Sequence, residues 1–266
     1  MKIDPEQKMQ DDIDRAVELL SHAKYVVALT GAGVSVESGI RPYRGPDGLW
    51  TEYGEPPMNR YDSTFRDPKK GWEMIMSGEI FSSEMMSKAA EAFRNAAPNS
   101  GHYALAELED MGILKCLITQ NVDNLHRVAG SKNLAEIHGN LYLMRCMQCN
   151  NRYGFMEISL EVLPPTCPKC GGAVKPDGVM FGEPIPSDVL TKCQEETSKC
   201  DCMLTVGTTG LVYPSAGFPR MVKSRGGTLI EVDVRDTEIT PSCNVSIRGK
   251  SGEIMSLIVS RIKLKI

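Results

Sequence analysis

Apolar positions along this chain follow two spacings. Met9, Ile13, Ala16, Val17 and Leu20 recur at helical intervals and predict an amphipathic helix over 9–22. The run YVVALT, ending at Thr30, is continuous instead and predicts a buried strand over 24–30. Similar short runs, LKCLIT, LAEI, CMLTV and TLIEV, return further along. Helical periodicity marks residues 69–95, rich in methionine (Met74, Met76, Met85, Met86), and 98–110, with Asn99 or Ser100 as the cap. Ser251 opens a last helix that places Ile254, Leu257, Ile258 and Ile262 on one face. Residues 41–68 are polar and proline-rich and carry neither period. Strand, loop and helix in repetition predict an α/β fold, a Rossmann-like parallel sheet with helices on both faces.

Each strand run ends in polar residues: GAG after Thr30, QNVDN at 120–124, HGN at 138–140, GTTG at 207–210, and Asp233. In an open parallel sheet, ligands lie outside the carboxyl ends of the strands, so these clusters converge on one crevice. The first continues as GAGVSVESGIRPYRG. A glycine-rich loop leaving a strand can bring bare N–H groups against phosphate. This one has Val36 where G-x-G-x-x-G has its third glycine, and it ends in Arg41 and Arg44.

The cysteines alter the domain picture. Cys146 and Cys149 form one C-x-x-C pair, Cys167 and Cys170 another. Two such knuckles suit a structural Zn²⁺ closed by four thiolates, with no position left for a reacting water. This module interrupts the strand–helix pattern and belongs to a smaller lobe. The expected division is a Rossmann-like domain from 1–40, 101–140 and 176–266, a helical module with a lid at 41–100, and the zinc module at 141–175. The other five (Cys116, Cys193, Cys200, Cys202, Cys243) are scattered in apolar surroundings and read as reduced thiols.

Charge narrows the function. The 266 residues carry a formal net charge of −4 without a long Lys/Arg run, which argues against a broad nucleic-acid-binding face. No apolar stretch approaches the ~20 residues of a membrane helix, and the N-terminal residues are acidic and amphipathic, so a cytoplasmic protein is expected. There is no H-E-x-x-H, no G-x-S-x-G and no P-loop. Of the histidines, His138 stands at a strand end on the edge of the glycine loop and suits a general base; a satisfied turn histidine is the competing reading. His22, His102 and His126 read as structural. Asn121 and Asp123 suit either a carboxamide or an Asx cap on the helix near 124.

Seven motifs stand here in order: GAGVSVESGIRPYRG, QNVDNLHRVAG, IHGN, the two C-x-x-C pairs, KPDGVMFGEPIP, VGTTGLVYPSA and LIEVD. Over roughly residues 20–260 the chain closely resembles the sirtuins, NAD-dependent protein deacylases. The resemblance implies a lid over NAD at 31–45, with Gly31, Ala32, Gly33, Ser35 and Val36 against the cofactor, Tyr43 guarding nicotinamide and Arg44 on phosphate. It implies that Gln120, Asn121, Val122 and Asp123 hold nicotinamide and its ribose. Thr208, Thr209 and Asp233 would serve the adenosine half, Gly207 and Lys250 would also bind the cofactor, and Val179, Phe181, Gly182 and Glu183 would form the peptide edge. Catalytic roles fall to His138, Asn121 and Arg44, with NAD as co-substrate, one structural Zn²⁺ and an acyl-lysine protein as substrate. Pro42 replaces the family Asp, Val36 a frequent Thr and Asn124 a usual Gly. No Tyr–Arg pair for acidic acyl groups is present, Leu49 and Trp50 preceding Thr51 there, so simple apolar acyl groups are expected. The alternatives on the same pocket are mono-ADP-ribosyl transfer and an idle NAD-binding scaffold.

Overall fold

Helix α1 (Pro5–His22) opens the chain, four residues earlier than its apolar stripe begins. Asp4 caps it, its carboxylate accepting from the Glu6 N–H, and Pro5 fills the first turn, where a missing N–H does no harm. The computed structural model describes residues 4–81 and 84–265. Strand β1 (Val26–Thr30) follows, then a 3₁₀ turn at Ala32–Ser38. The polar stretch after it contains two short helices, α2 (Leu49–Tyr53) and α3 (Arg60–Phe65), where no period was legible. The 69–95 segment is two helices, α4 (Pro68–Met76) and α5 (Glu84–Asn95). Gly78, at φ +77°, ends the first, a backbone conformation that glycine adopts without penalty. The Met85 and Met86 side chains lie outside the described residues.

Helix α6 (Ser100–Asp110), capped by Asn99, leads to β2 (Leu114–Thr119), α7 (Leu125–Val128) and β3 (Leu134–Glu136). The cysteine segment forms β4 (Leu143–Cys146), β5 (Arg152–Gly154) and β6 (Val174–Pro176). The chain then returns through α8 (Ser187–Lys199), β7 (Cys202–Val206), α9 (Gly217–Ser224), β8 (Thr228–Asp233), β9 (Val245–Arg248) and α10 (Ser251–Lys263). Ser251 is the first helical residue of α10; Lys250 holds the cap position.

Six strands make one parallel sheet in the order β3-β2-β1-β7-β8-β9. Alternation along β1 explains the two-sided burial. Val26 and Ala28 face a core built with Ile13, Leu105 and Ile258 from α1, α6 and α10, whereas Val27 and Leu29 face Cys193, Phe218 and Val222 from α8 and α9. Burying each such aliphatic side chain contributes about 1.5–3 kcal/mol, so the sheet is the rigid floor of the molecule. The strand order reverses direction between β1 and β7, which is where such sheets open a crevice.

A separate antiparallel sheet, β5-β4-β6, carries the C-x-x-C pairs. Its core joins Met144, Cys146, Cys167 and Val174 to Phe65 and Trp72 of α3 and α4. The Trp72 indole N–H donates to the Val174 carbonyl at 2.7 Å, giving the buried ring its polar partner. Among the described residues no helix is long and apolar enough to cross a membrane.

Candidate functional site

The parallel register brings GAG, QNVDN, HGN, GTTG and Asp233 to one edge, beyond the carboxyl ends of β1, β2, β3, β7 and β8. Backbone contacts lock the clusters together. The Gly33 N–H donates to the Gly207 carbonyl (2.9 Å) and the Gln120 N–H to the Thr30 carbonyl (3.0 Å). A Cβ on Gly33 would stand 2.5 Å from the Gly207 Cα, and Gly207 itself has φ +61°. Glycine is required at both because two turns touch, backbone to backbone.

Side chains continue the connection. Buried Ser35 donates its hydroxyl to Asp123 Oδ2 (2.6 Å) and accepts from Asn121 Nδ2 (3.0 Å). Asp123 Oδ1 also accepts from the Leu125 N–H, so the Asx-cap reading holds along with placement in the site. Desolvation raises the Asp123 pKa, opposed chiefly by the Ser35 hydrogen bond. Gln120 bridges two of the clusters, donating to Thr208 Oγ1 (2.8 Å) and accepting from Ser215 Oγ (3.0 Å).

His138 follows β3. Its Nδ1 lies 3.1 Å from the Gln120 carbonyl. A carbonyl only accepts, so the proton sits on Nδ1 and Nε2 carries the free lone pair. Burial lowers the His138 pKa, partly countered by that same hydrogen bond, and keeps the ring neutral near pH 7. Its own carbonyl accepts from the Val179 N–H at 2.8 Å, joining it to the 177–183 segment.

Other expected positions stand further out. Val36 is exposed. Tyr43 packs on Trp50, centroids 4.8 Å apart, and Trp50 on Phe181 at 5.4 Å, an aromatic row from the lid to the 177–183 segment. Arg44 is turned to Glu55 (2.9 Å) and lies over Trp50. Thr209 accepts from the Glu238 N–H, Val122 from the Leu141 N–H, and Asp233 holds the Arg235 N–H at 3.2 Å. Lys250 is exposed and faces Glu253 at 3.8 Å. The Glu183 side chain is buried against Arg145 and Lys175.

His102 was read as structural, and it does complete the capping box of α6. It also reaches the Ser35 hydroxyl through Nε2, at 3.4 Å, and its ring lies 4.8 Å from His126. Only the fold reveals that link, because Ser35 and His102 are 67 residues apart.

Cys146, Cys149, Cys167 and Cys170 place their four Sγ atoms within 4.8 Å of one another, with spacings of 3.5 Å (Cys146 to Cys170) and 3.7 Å (Cys149 to Cys167). A tetrahedron with ~2.3 Å Zn–S bonds has edges of ~3.8 Å, so the donor set fits Zn²⁺. The Gln148 and Cys149 N–H groups point at the Cys146 sulfur, at 3.4 and 3.5 Å, as a thiolate requires. Cys116, Cys193, Cys200 and Cys202 are buried and Cys243 partly so, and desolvation raises all five thiol pKa values, leaving them unreactive.

A six-stranded sheet with glycine turns at its switch point, a neutral histidine bonded to Gln120 on the same edge and a four-thiolate side module defines a dinucleotide-using enzyme with a structural metal. The Sir2 family profile matches residues 31–214. The "NAD-dependent protein deacylase 1" of Archaeoglobus fulgidus is 42% identical over 94% of this chain and 98% of its own length. That of Thermococcus kodakarensis is 44% identical over 94% and 96%. Among solved structures, "Sir2 homolog-NAD complex" is similar at TM-score 0.75, 41% identity and 95% and 94% coverage. "Sir2-p53 peptide-NAD+" is similar at 0.74 and 28%, over 95% and 99%. The chain belongs to the Sir2 family.

Proposed function

We propose that this protein is an NAD-dependent protein-lysine deacylase, releasing nicotinamide, free lysine and O-acyl-ADP-ribose. The observation that carries the reading is the His138 tautomer. Held through Nδ1 by the Gln120 carbonyl, the ring keeps Nε2 as a proton acceptor beside the crevice edge. The residues fit NAD: glycine turns at the switch point, and an amide, a carboxyl and a hydroxyl joined in one buried network at Asn121, Asp123 and Ser35.

Bound NAD supplies an anomeric carbon with a pyridinium leaving group, at which the acyl-lysine amide oxygen replaces nicotinamide. Asn121 and Asp123 orient the carboxamide. The Asp123 carboxyl, whose oxygens already accept from the Ser35 hydroxyl and the Leu125 N–H, is suited to accept from it. Gln120, Thr208, Thr209 and Asp233 serve the riboses and adenine, while Ala32, Gly33, Ser35 and Val36 line the lid's inner side. His138 Nε2 removes a ribose hydroxyl proton so that this oxygen can attack the acyl carbon. Arg44 exchanges Glu55 for phosphate as the lid closes; the Glu55 carboxylate is open to water, which weakens the pair, so little opposes the exchange. Val179, Phe181 and Gly182 offer main-chain groups to an extended peptide.

The proposed division of labour follows the expected one: 1–40, 101–140 and 176–266 bind NAD, 41–100 carries the lid, and 141–175 holds zinc. A cytoplasmic setting suits the reduced four-thiolate site. Incubation with NAD and acetyl- or longer acyl-lysine peptides tests the reading by product mass. Loss of the acyl group with O-acyl-ADP-ribose formation is expected. ADP-ribose added to protein, or no nicotinamide release with any peptide, would contradict it.

A further inference from the structure

Beneath the 177–183 segment lies a cluster of charge that the chemistry does not use. Arg145, Lys175, Asp177 and Glu183 are 0–4% exposed at their side chains, two cations and two anions in balance. Arg145 on β4 donates through Nε to Asp177 Oδ1 (2.7 Å), through Nη2 to Glu183, and through Nη1 to Asn150 (3.3 Å) beside the first zinc knuckle. Arg152 closes the other Asp177 oxygen at 3.0 Å. Lys175 on β6 gives its ammonium protons to the Pro176 carbonyl (2.9 Å), the Gly178 carbonyl (2.7 Å) and Glu183 Oε2 (3.1 Å). Glu183 Oε2 in turn accepts from the Met180 N–H at 3.0 Å.

These bonds account for the shape of the segment. The Gly178 carbonyl and the Pro176 carbonyl just before the segment end on Lys175 and the Met180 amide on Glu183, while the Val179 N–H holds the His138 carbonyl and the Phe181 carbonyl holds the Tyr61 N–H. Deleting one buried charge leaves its partners uncompensated, which is far more disruptive than losing a surface pair.

We propose that Lys175, Glu183 and Arg145 are positioning residues: the buried charge cluster sets the main-chain shape of 177–183 and thereby tunes binding of the acyl-lysine peptide, independently of NAD binding and of the base. Glu183 therefore acts from beneath the segment and does not touch substrate. The proposal rests on the deacylase reading above.

The test uses full-length, zinc-loaded protein and steady-state nicotinamide release, with NAD and an acetyl-lysine peptide varied in turn. Wild-type formation of O-acyl-ADP-ribose from the peptide, read by product mass, establishes the deacylase reading first; its absence would count against that reading and against the proposal built on it. Glu183→Gln is expected to raise the peptide KM about tenfold, equivalent to about 1.4 kcal/mol. The NAD KM, kcat at saturating peptide and zinc content should stay within about twofold of wild type, and Glu183→Asp, which restores charge, should recover part of the loss. Amide hydrogen exchange should quicken at 178–183 and not in β1 or β7. The charge-balanced variant Lys175→Met with Glu183→Gln keeps Arg145 against Asp177 and should fold even where the single variant does not, again with a raised peptide KM. An unchanged peptide KM in folded protein, or kcat and NAD KM changing equally, would overturn the proposal. So would failure of the balanced variant to fold, since the cluster would then hold the whole lobe together.

Discussion

Ser35 connects Asp123, Asn121 and His102 within a hydrogen bond each, and none of those links could be read along the chain. At the residue scale, motif identity was legible and side-chain allegiance was not. Glu183 shows why: its Arg145 partner is 38 residues away, and a motif lying along a peptide edge gives no sign that one member points beneath it. Two predictions belong to this scale. Gly33→Ala would drive a Cβ against the Gly207 backbone, so the two turns must part. Overpacking of this kind costs about 1–3 kcal/mol, and weaker NAD binding by calorimetry is the expected result; unchanged affinity would show that the turns yield freely. The second concerns His102. Burial lowers its pKa to about 4, against about 6.5 in an unfolded chain. Above pH ~6.5 the ring is neutral in both states and does not affect stability. As pH falls toward 4 the unfolded chain takes up the proton first, so up to about 3 kcal/mol is lost. Urea midpoints between pH 7 and 4.5 should fall less steeply for His102→Gln than for wild type.

Elements were legible where one period ran undisturbed. The strands now called β1, β2, β3, β7 and β8 were all marked by apolar runs ending in polar clusters. β9 is hard to read because its alternation runs over only four residues, Val245–Arg248, with just two apolar positions. α2 and α3 were hidden because helices of five and six residues barely complete a turn, too short for a periodic stripe to show. The break within 69–95 came from Gly78, whose positive φ a helical pattern does not anticipate. The zinc module was readable from spacing alone, and its packing adds a consequence. Cys146 and Cys167 are members of the same small core as Phe65 and Trp72, and apparent Zn²⁺ binding of about 10–16 kcal/mol is as large as the burial of such a core. Chelation should therefore red-shift the Trp72 fluorescence, best followed with Trp50→Phe, while far-UV dichroism keeps the large sheet's signal. Concerted loss of both would contradict a module that melts separately.

For the whole molecule, the parallel sheet converts distant segments into one edge. Register along six strands puts five polar clusters side by side, so the sequence rule about strand ends succeeded without knowledge of any contact. The rest was tertiary: which face residues 31–45 rest on, and how the small sheet meets the 177–183 segment through Arg145. On the proposed reading the large sheet fixes NAD and the small sheet shapes the substrate edge, with His138 between them, bonded to Gln120 on one side and Val179 on the other.

The most direct test of that arrangement is His138→Ala, assayed for O-acyl-ADP-ribose formation with acyl-lysine peptide alongside NAD affinity and zinc content. The account predicts product formation reduced by about 10²–10⁴, the range for loss of a general base, with NAD affinity within a few-fold of wild type and one zinc retained. Turnover near the wild-type rate, or loss of NAD binding and zinc together with activity, would contradict it.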